Sequence, residues 1–174
     1  SIYIAGNTSG DLDDQINNGS SDVCLIKLNT DGTKIWTRLL GSSSRDGSED
    51  LTIGIDGSIY LSGYTNFESY TNRGSTLDGQ TNNGSDDAFL SKFNPDGTKE
   101  WTRLLGTSSS ENGKSLTTGL DGSIYIAGTT QGDLDGQTNS GSDFTIDAFL
   151  SKFNPDGTKE WTRLLGTSSD DIAR

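Results

Sequence analysis

The residues of this chain best suited to chemistry are the oxygen-bearing side chains of three long polar segments. In one of them Asp133, Asp135, Gln137, Asn139 and Asp143 are interleaved with small or flexible residues, and in another Asp11, Asp13, Gln15 and Asn17 alternate in the same way. The middle segment opens with Thr76 in place of the leading aspartate but keeps Asp78, Gln80, Asn82 and Asp86. Carboxylates and amides at alternate positions, with glycines to bend the backbone, are what a hard cation such as Ca²⁺ requires. Asp11, Asp13, Asp78, Asp133, Asp135, Asn139 and Asp143 are therefore the candidate calcium ligands. The same residue types also make an ordinary solvated loop. No glutamate closes an EF-hand pattern at its twelfth position, and no GGxGxDxUx run occurs.

Nucleophilic catalysis has little to work with. The chain has no His, so neither a Ser-His-Asp nor a Cys-His arrangement can be built from it. A paired-carboxylate glycosidase is chemically open, but the aspartates recur in register along the chain, whereas a catalytic dyad breaks such symmetry. No catalytic residue and no cofactor other than the candidate Ca²⁺ is assigned. The lone cysteine, Cys24, stands where equivalent segments carry Phe89 and Phe149, which marks it as a small core hydrophobe. One stretch, 64–75, breaks the register and holds Tyr64, Phe67, Tyr70 and Arg73. Exposed aromatics beside amides suit sugar stacking or a protein contact, so these four are candidate ligand or partner residues. A loop packing its own aromatics is the competing reading.

A formal net charge of −12 argues against nucleic acid and anionic membrane surfaces, whose phosphates attract Lys and Arg. No hydrophobic span for membrane insertion is present.

These groups must be positioned by repeated elements. Asp87–Ser109 and Asp147–Ser169 are identical, and Asp22–Ser44 is a diverged copy. Each unit reads as four strands, here taken from the third: Ser115–Leu120, Ser123–Thr130, Asp147–Asn154 and Thr158–Leu165. Asp121-Gly122 signals a two-residue hairpin, and Asn154-Pro155-Asp156-Gly157 a tight turn. No segment has a helical apolar period. Apolar residues fall on both faces of strands such as Ile124–Ile126, so the sheets must stack face to face. The predicted class is all-β: tandem four-stranded antiparallel blades of a β-propeller, about three of them in an incomplete ring. Blade boundaries are expected at 1–41 (without an inner strand), 42–106 (with the 64–75 insertion) and 107–174. Trp36, Trp101 and Trp161 occupy one place per blade, which points to packing. Lys92 and Lys152, with Arg103 and Arg163, are expected to pair across strands with acidic neighbours in solvent. Ser1 aligns with Ser58 and Ser123, each just after an Asp-Gly turn, so a piece of a longer array is expected.

The pattern of Asp121-Gly122, Ser123–Gly128, Asp147–Gly157 and Trp161 resembles the bacterial β-propeller repeat family known as SBBP. That resemblance implies blades in large secreted or surface proteins, an extracellular or cell-surface setting, and no general catalytic motif. The blades are also similar to NHL-type repeats, by which Ser115–Leu120 would be innermost and Glu160–Leu165 outermost. The expected function is a non-catalytic binding or structural module whose loop rim contacts a protein or carbohydrate. The remaining blades would come from a longer chain or from self-association. A lectin-like propeller with one sugar site per blade is the alternative, and an enzyme with its site in other blades a second one.

Overall fold

Glycine-punctuated turns and alternating apolar residues resolve into thirteen strands in the computed structural model, which describes residues 1–67, 75–141 and 144–173. Blade 1 comprises β1 (Ile2–Thr8), β2 (Asp22–Leu28) and β3 (Lys34–Leu40). Blade 2 begins with β4 (Asp46–Ile53) and β5 (Ile59–Asn66), carries a small ribbon of β6 (Thr76–Leu77) and β7 (Gln80–Thr81), and ends with β8 (Asp86–Phe93) and β9 (Lys99–Leu105). Blade 3 runs through β10 (Glu111–Thr118), β11 (Ile124–Thr130), β12 (Asp147–Phe153) and β13 (Lys159–Leu165). The sheets are antiparallel, in the orders β1-β2-β3, β4-β5-β8-β9 and β10-β11-β12-β13. They do not close on one another. No described residue is helical.

Two-residue periodicity sends alternate side chains to opposite faces of each blade. From blade 2, Ile59, Leu61, Phe89 and Phe93 join Val23, Leu25 and Leu40 of blade 1 in one core. Tyr60, Ala88 and Leu90 turn the other way and pack with Leu116, Ile124, Ile126 and Phe149 of blade 3. Phe89 and Leu61 are wholly buried, and each such side chain contributes about 1.5–3 kcal/mol. Cys24 is buried as a free thiol in the central strand of blade 1, as its aromatic counterparts imply. Within each blade a Tyr tilts against the Trp of the outer strand, with centroids 6.1 Å apart for Tyr3–Trp36 and Tyr60–Trp101.

Two local expectations need correction. The Asp-Gly hairpins are three-residue loops: Gly122 N donates to the Gly119 carbonyl and Gly119 N to the Ser123 carbonyl. Gly122 has φ 83°, the left-handed residue that follows a type I turn and forms a bulge. The inner strand of blade 3 consequently ends at Thr118, and Leu120 sits at the turn tip, 97% exposed. That strand also begins earlier than Ser115, at Glu111, with a bulge between Gly113 and Ser115.

The blades are locked at their turns. Arg38 Nε of blade 1 donates to the Gly97 carbonyl of blade 2 at 2.9 Å, and Arg103 Nε of blade 2 donates to the Gly157 carbonyl of blade 3 at 2.8 Å. Each guanidinium also lies over the Trp two residues before it, 5.4 Å and 5.3 Å from the ring centroids. Arg103 thus pairs between blades, not with acidic residues across strands, and Arg163 donates Nη1 to the Thr162 carbonyl at 2.8 Å. Lys92 and Lys152 do meet Glu100 and Glu160, at 2.8 and 2.9 Å.

Candidate functional site

The long polar loops and the inter-blade linkers meet on one rim. Ser20 N donates to the Ser44 carbonyl at 2.8 Å, and Ser85 N to the Ser109 carbonyl at 2.7 Å, so each linker is laced to the long loop of the blade it leaves. Gln131 N reaches the Ser110 carbonyl at 3.0 Å, tying the next blade to the same linker. Glycine is required where the strands of this lacing touch: a Cβ on Gly84 would fall 2.2 Å from the Ser109 carbonyl oxygen.

Inside each loop the candidate aspartates have partners of their own. Asp13, Asp78 and Asp135 all have positive φ, near 50°, at the tips of short two-residue ribbons. Their carboxylates pair with Lys34, Lys99 and Lys159 and accept the hydroxyls of Thr37, Thr102 and Thr162. These bonds pin each loop to the outer strand of its own blade. The Lys34 contact holds the Asp13 carboxyl below its ordinary range, helped by Thr37. Asp11 and Asp133 accept the backbone N–H of Asn17 and Asn139, at 2.9 and 2.8 Å. Asn139 donates to the Thr130 and Thr145 carbonyls. The structure therefore distributes these residues along the rim: among the described residues no three of His, Cys, Asp and Glu gather as a metal-holding group. Asp143 lies outside the described residues, as do Tyr70 and Arg73. Tyr64 belongs to β5, where its ring covers Gly47 and receives Arg45 at 5.7 Å. Phe67 follows that strand and donates its N–H to the Ser85 carbonyl at 2.7 Å.

A second set of carboxylates was not singled out by sequence reasoning. Asp22, Asp87 and Asp147 are fully buried at the start of the long strand that follows each polar loop, β2, β8 and β12. They accept backbone N–H groups of Asn18, Asn83 and Ser140, at 3.0, 3.1 and 2.8 Å. Each presses on a glycine that ends the outer strand: a Cβ on Gly41, Gly106 or Gly166 would fall 2.0–2.1 Å from the carboxylate. Beside them, Asp46 and Glu111 cap the linkers by accepting N–H and hydroxyl groups of Ser42 and Thr107. Burial raises Asp22, Asp46 and Glu111 above the ordinary carboxylate range. Asp87 rises furthest, to about 6, through burial first and then the charges of Glu111 and Asp86. The signal was present in the aligned pair of Asp87 and Gly106, repeated as Asp22 with Gly41 and Asp147 with Gly166.

Between the blade 2 linker and the blade 3 loop lies an open polar groove of about 450 Å³, lined by Ser108, Ser109, Gln131, Asp133 and Asn139 among others. An adjoining hollow shares Ser108, Ser109 and Gln131 and extends to Phe144, which is 83% exposed at φ 76°. Hydroxyls, amides and one carboxylate beside a bare aromatic can bind a polar ligand. They offer no activated nucleophile.

Stacked antiparallel four-stranded sheets with their loops on a common rim define a protein built of β-propeller repeats. Residues 100–135 match the SBBP β-propeller repeat, and residues 1–34 match the β-propeller domain of unknown function DUF5122. Together they support a bacterial β-propeller repeat family. Along 98% of its length the chain is 26% identical to the "Regulatory protein FlaEY" of Caulobacter vibrioides. It spans 18% of that protein's length.

Proposed function

We propose that this chain is a non-catalytic binding segment of a bacterial secreted or cell-surface β-propeller, presenting its loop rim to a protein or polar ligand. The observation that carries the reading is the groove between Ser108, Ser109 and Gln131, held open by loops that their own Lys and Thr partners fix. Rigid scaffolds with variable loops concentrate binding in this way. The likeness to a regulatory protein fits recognition without turnover. A lectin-like reading is favoured by one feature, the bare Phe144 ring beside hydroxyl and amide groups. The two are separated by a glycan array run with the wild-type chain and with a Gln131→Ala, Phe144→Ala double variant. Glycan signals lost in the variant assign a sugar site. Absence of glycan binding, with surface proteins of the source captured by the wild type but not by the variant, assigns a protein partner. Retention of all binding by the variant overturns the groove as the site.

A further inference from the structure

The third long loop departs from the other two by a short insertion, and the insertion borders the groove. In blades 1 and 2, Asn18 N and Asn83 N donate to Asp22 and Asp87, each four residues on. In blade 3 the equivalent bond runs from Ser140 N to Asp147, seven residues on. The three extra residues are Phe144, Thr145 and Ile146. Two of them are fastened. Asn139 Nδ2 donates to the Thr145 carbonyl at 3.2 Å, the Thr145 hydroxyl donates to Asn139 Oδ1 at 3.3 Å, and Ile146 N reaches Asp170 Oδ1 at 3.0 Å. Asn139 is fastened in turn, because Asp133 Oδ1 accepts its N–H. Phe144 is the exception: it stays 83% exposed, on a backbone at φ 76°. That left-handed region is unfavourable for a bulky residue, and residues held there cluster at ligand clamps and active sites.

The hollow beside Phe144 has its other walls in Ser85, Ser108, Ser109 and Gln131, so it belongs to the junction of blades 2 and 3. Three of these residues also line the groove of about 450 Å³, a volume inside the range of small-molecule sites, about 300–1,000 Å³. Among the described residues, the side chains of Ser108, Ser109 and Gln131 hydrogen-bond to no protein group. Asp133 spends one oxygen on Asn139 and keeps the other. Two hydroxyls, an amide that both donates and accepts, and a carboxylate oxygen match a row of neighbouring hydroxyl groups, each a donor and an acceptor. A bare aromatic face next to them matches the apolar C–H face of a sugar ring. No Lys or Arg is among the described residues lining the groove or the hollow, and the chain carries a net charge of −12. A phosphate, sulfate or carboxylate on the ligand would meet no cation there and would be repelled.

We propose that the junction of blades 2 and 3 binds an uncharged saccharide, with a sugar ring stacked on Phe144 and its hydroxyls on Gln131, Asp133 and the Ser108–Ser109 linker. This ligand class rests on the groove being the binding site, as proposed above, and narrows what it takes. It also fixes the number of sites. The loops of blades 1 and 2 have no insertion at this place and no counterpart of Phe144. The site therefore occurs once in this chain, not once per blade.

Affinity electrophoresis of the full chain tests this, in native gels cast with neutral polysaccharides (mannan, β-glucan, galactan, xylan) and in parallel with polygalacturonate. The wild type is expected to be retarded by at least one neutral polymer and not by polygalacturonate. With that polymer, Phe144→Ala is expected to weaken binding by roughly tenfold or more, whereas Phe144→Trp, which keeps a ring, binds close to wild type. Circular dichroism and mobility in a polymer-free gel check the fold of each variant. Calorimetric titration with an oligosaccharide of the same polymer is expected to give one site per chain. Retardation by no polymer, or by polygalacturonate alone, overturns the saccharide assignment. The groove as a binding site is then judged separately, by the protein capture with the Gln131→Ala, Phe144→Ala variant described above. Neutral-polymer binding that Phe144→Ala leaves unchanged, or more than one sugar site per chain, overturns the placement of the saccharide at this junction.

Discussion

At the scale of single residues, the buried carboxylates govern how this protein responds to pH. Asp87 is fully enclosed, with its carboxyl at about 6 in the folded chain against an ordinary value of 3.8. The folded state therefore holds that proton more tightly than the unfolded state. The stability it contributes is complete below about pH 4 and is lost as pH rises through 6. Asp31, Asp96, Asp121 and Asp156, held below the usual range mainly by turn N–H groups, act in the opposite sense and lose their contribution in acid. Thermal melting is expected to peak near pH 4–5 and to decline from there to about pH 6. Asp87→Asn should stabilise the fold at pH 8 by on the order of 1–3 kcal/mol and flatten the decline between about pH 4 and 6. A midpoint that keeps rising to pH 8 in the wild type would contradict this. The loop aspartates give a second residue-scale test. Since Asp13, Asp78 and Asp135 already have lysine partners, millimolar Ca²⁺ is expected to leave the melting midpoint of EDTA-treated protein unmoved, while Lys159→Ala lowers stability by about 0.2–1 kcal/mol. A rise of several degrees that Mg²⁺ fails to reproduce would make these loops metal sites.

The elements were legible where side-chain period and turn chemistry agreed. Ile124–Thr130, Asp147–Phe153 and Lys159–Leu165 fall within a residue of the segments their alternation defines. The inner strand was less legible, because Glu111–Leu116 is polar and bulged and owes its place to neighbouring blades more than to its own pattern. Asp121-Gly122 signalled a hairpin of two residues, whereas the loop has three, because the residue before the aspartate joins it and nothing in the pair itself shows that. Inter-strand contacts as close as Gly106 against Asp87 leave no sequence signal beyond the repeated pairing of an aspartate with a glycine. Gly106→Ala drives a methyl into the carboxylate at 2.0 Å, in a buried setting with little room to yield. A loss of about 1–3 kcal/mol, typical of overpacking, is expected in chemical denaturation. A loss below 0.5 kcal/mol, the range of neutral surface changes, would show that the Asp87 contact is looser than described.

At the scale of the whole molecule, the repeated strings announced stacked blades, and the structure shows why stacking is needed. Blade 2 buries apolar residues on both faces, whereas blades 1 and 3 each leave one face partly bare. What the strings could not announce was the lock between blades, because Arg38 and Gly97 are far apart in sequence and each has an adequate local explanation. The candidate site was legible as a rim but not as a groove, since Gln131 and Ser109 meet only through blade stacking. The most direct test of this architecture is native-state hydrogen exchange, resolved by strand. Strands β5 and β8, covered on both sides, are expected to exchange slowest, and β1 and β13 fastest among the ladder strands. Equal protection in all three blades, or slower exchange in β1 and β13 than in β5 and β8, would contradict the stacked arrangement.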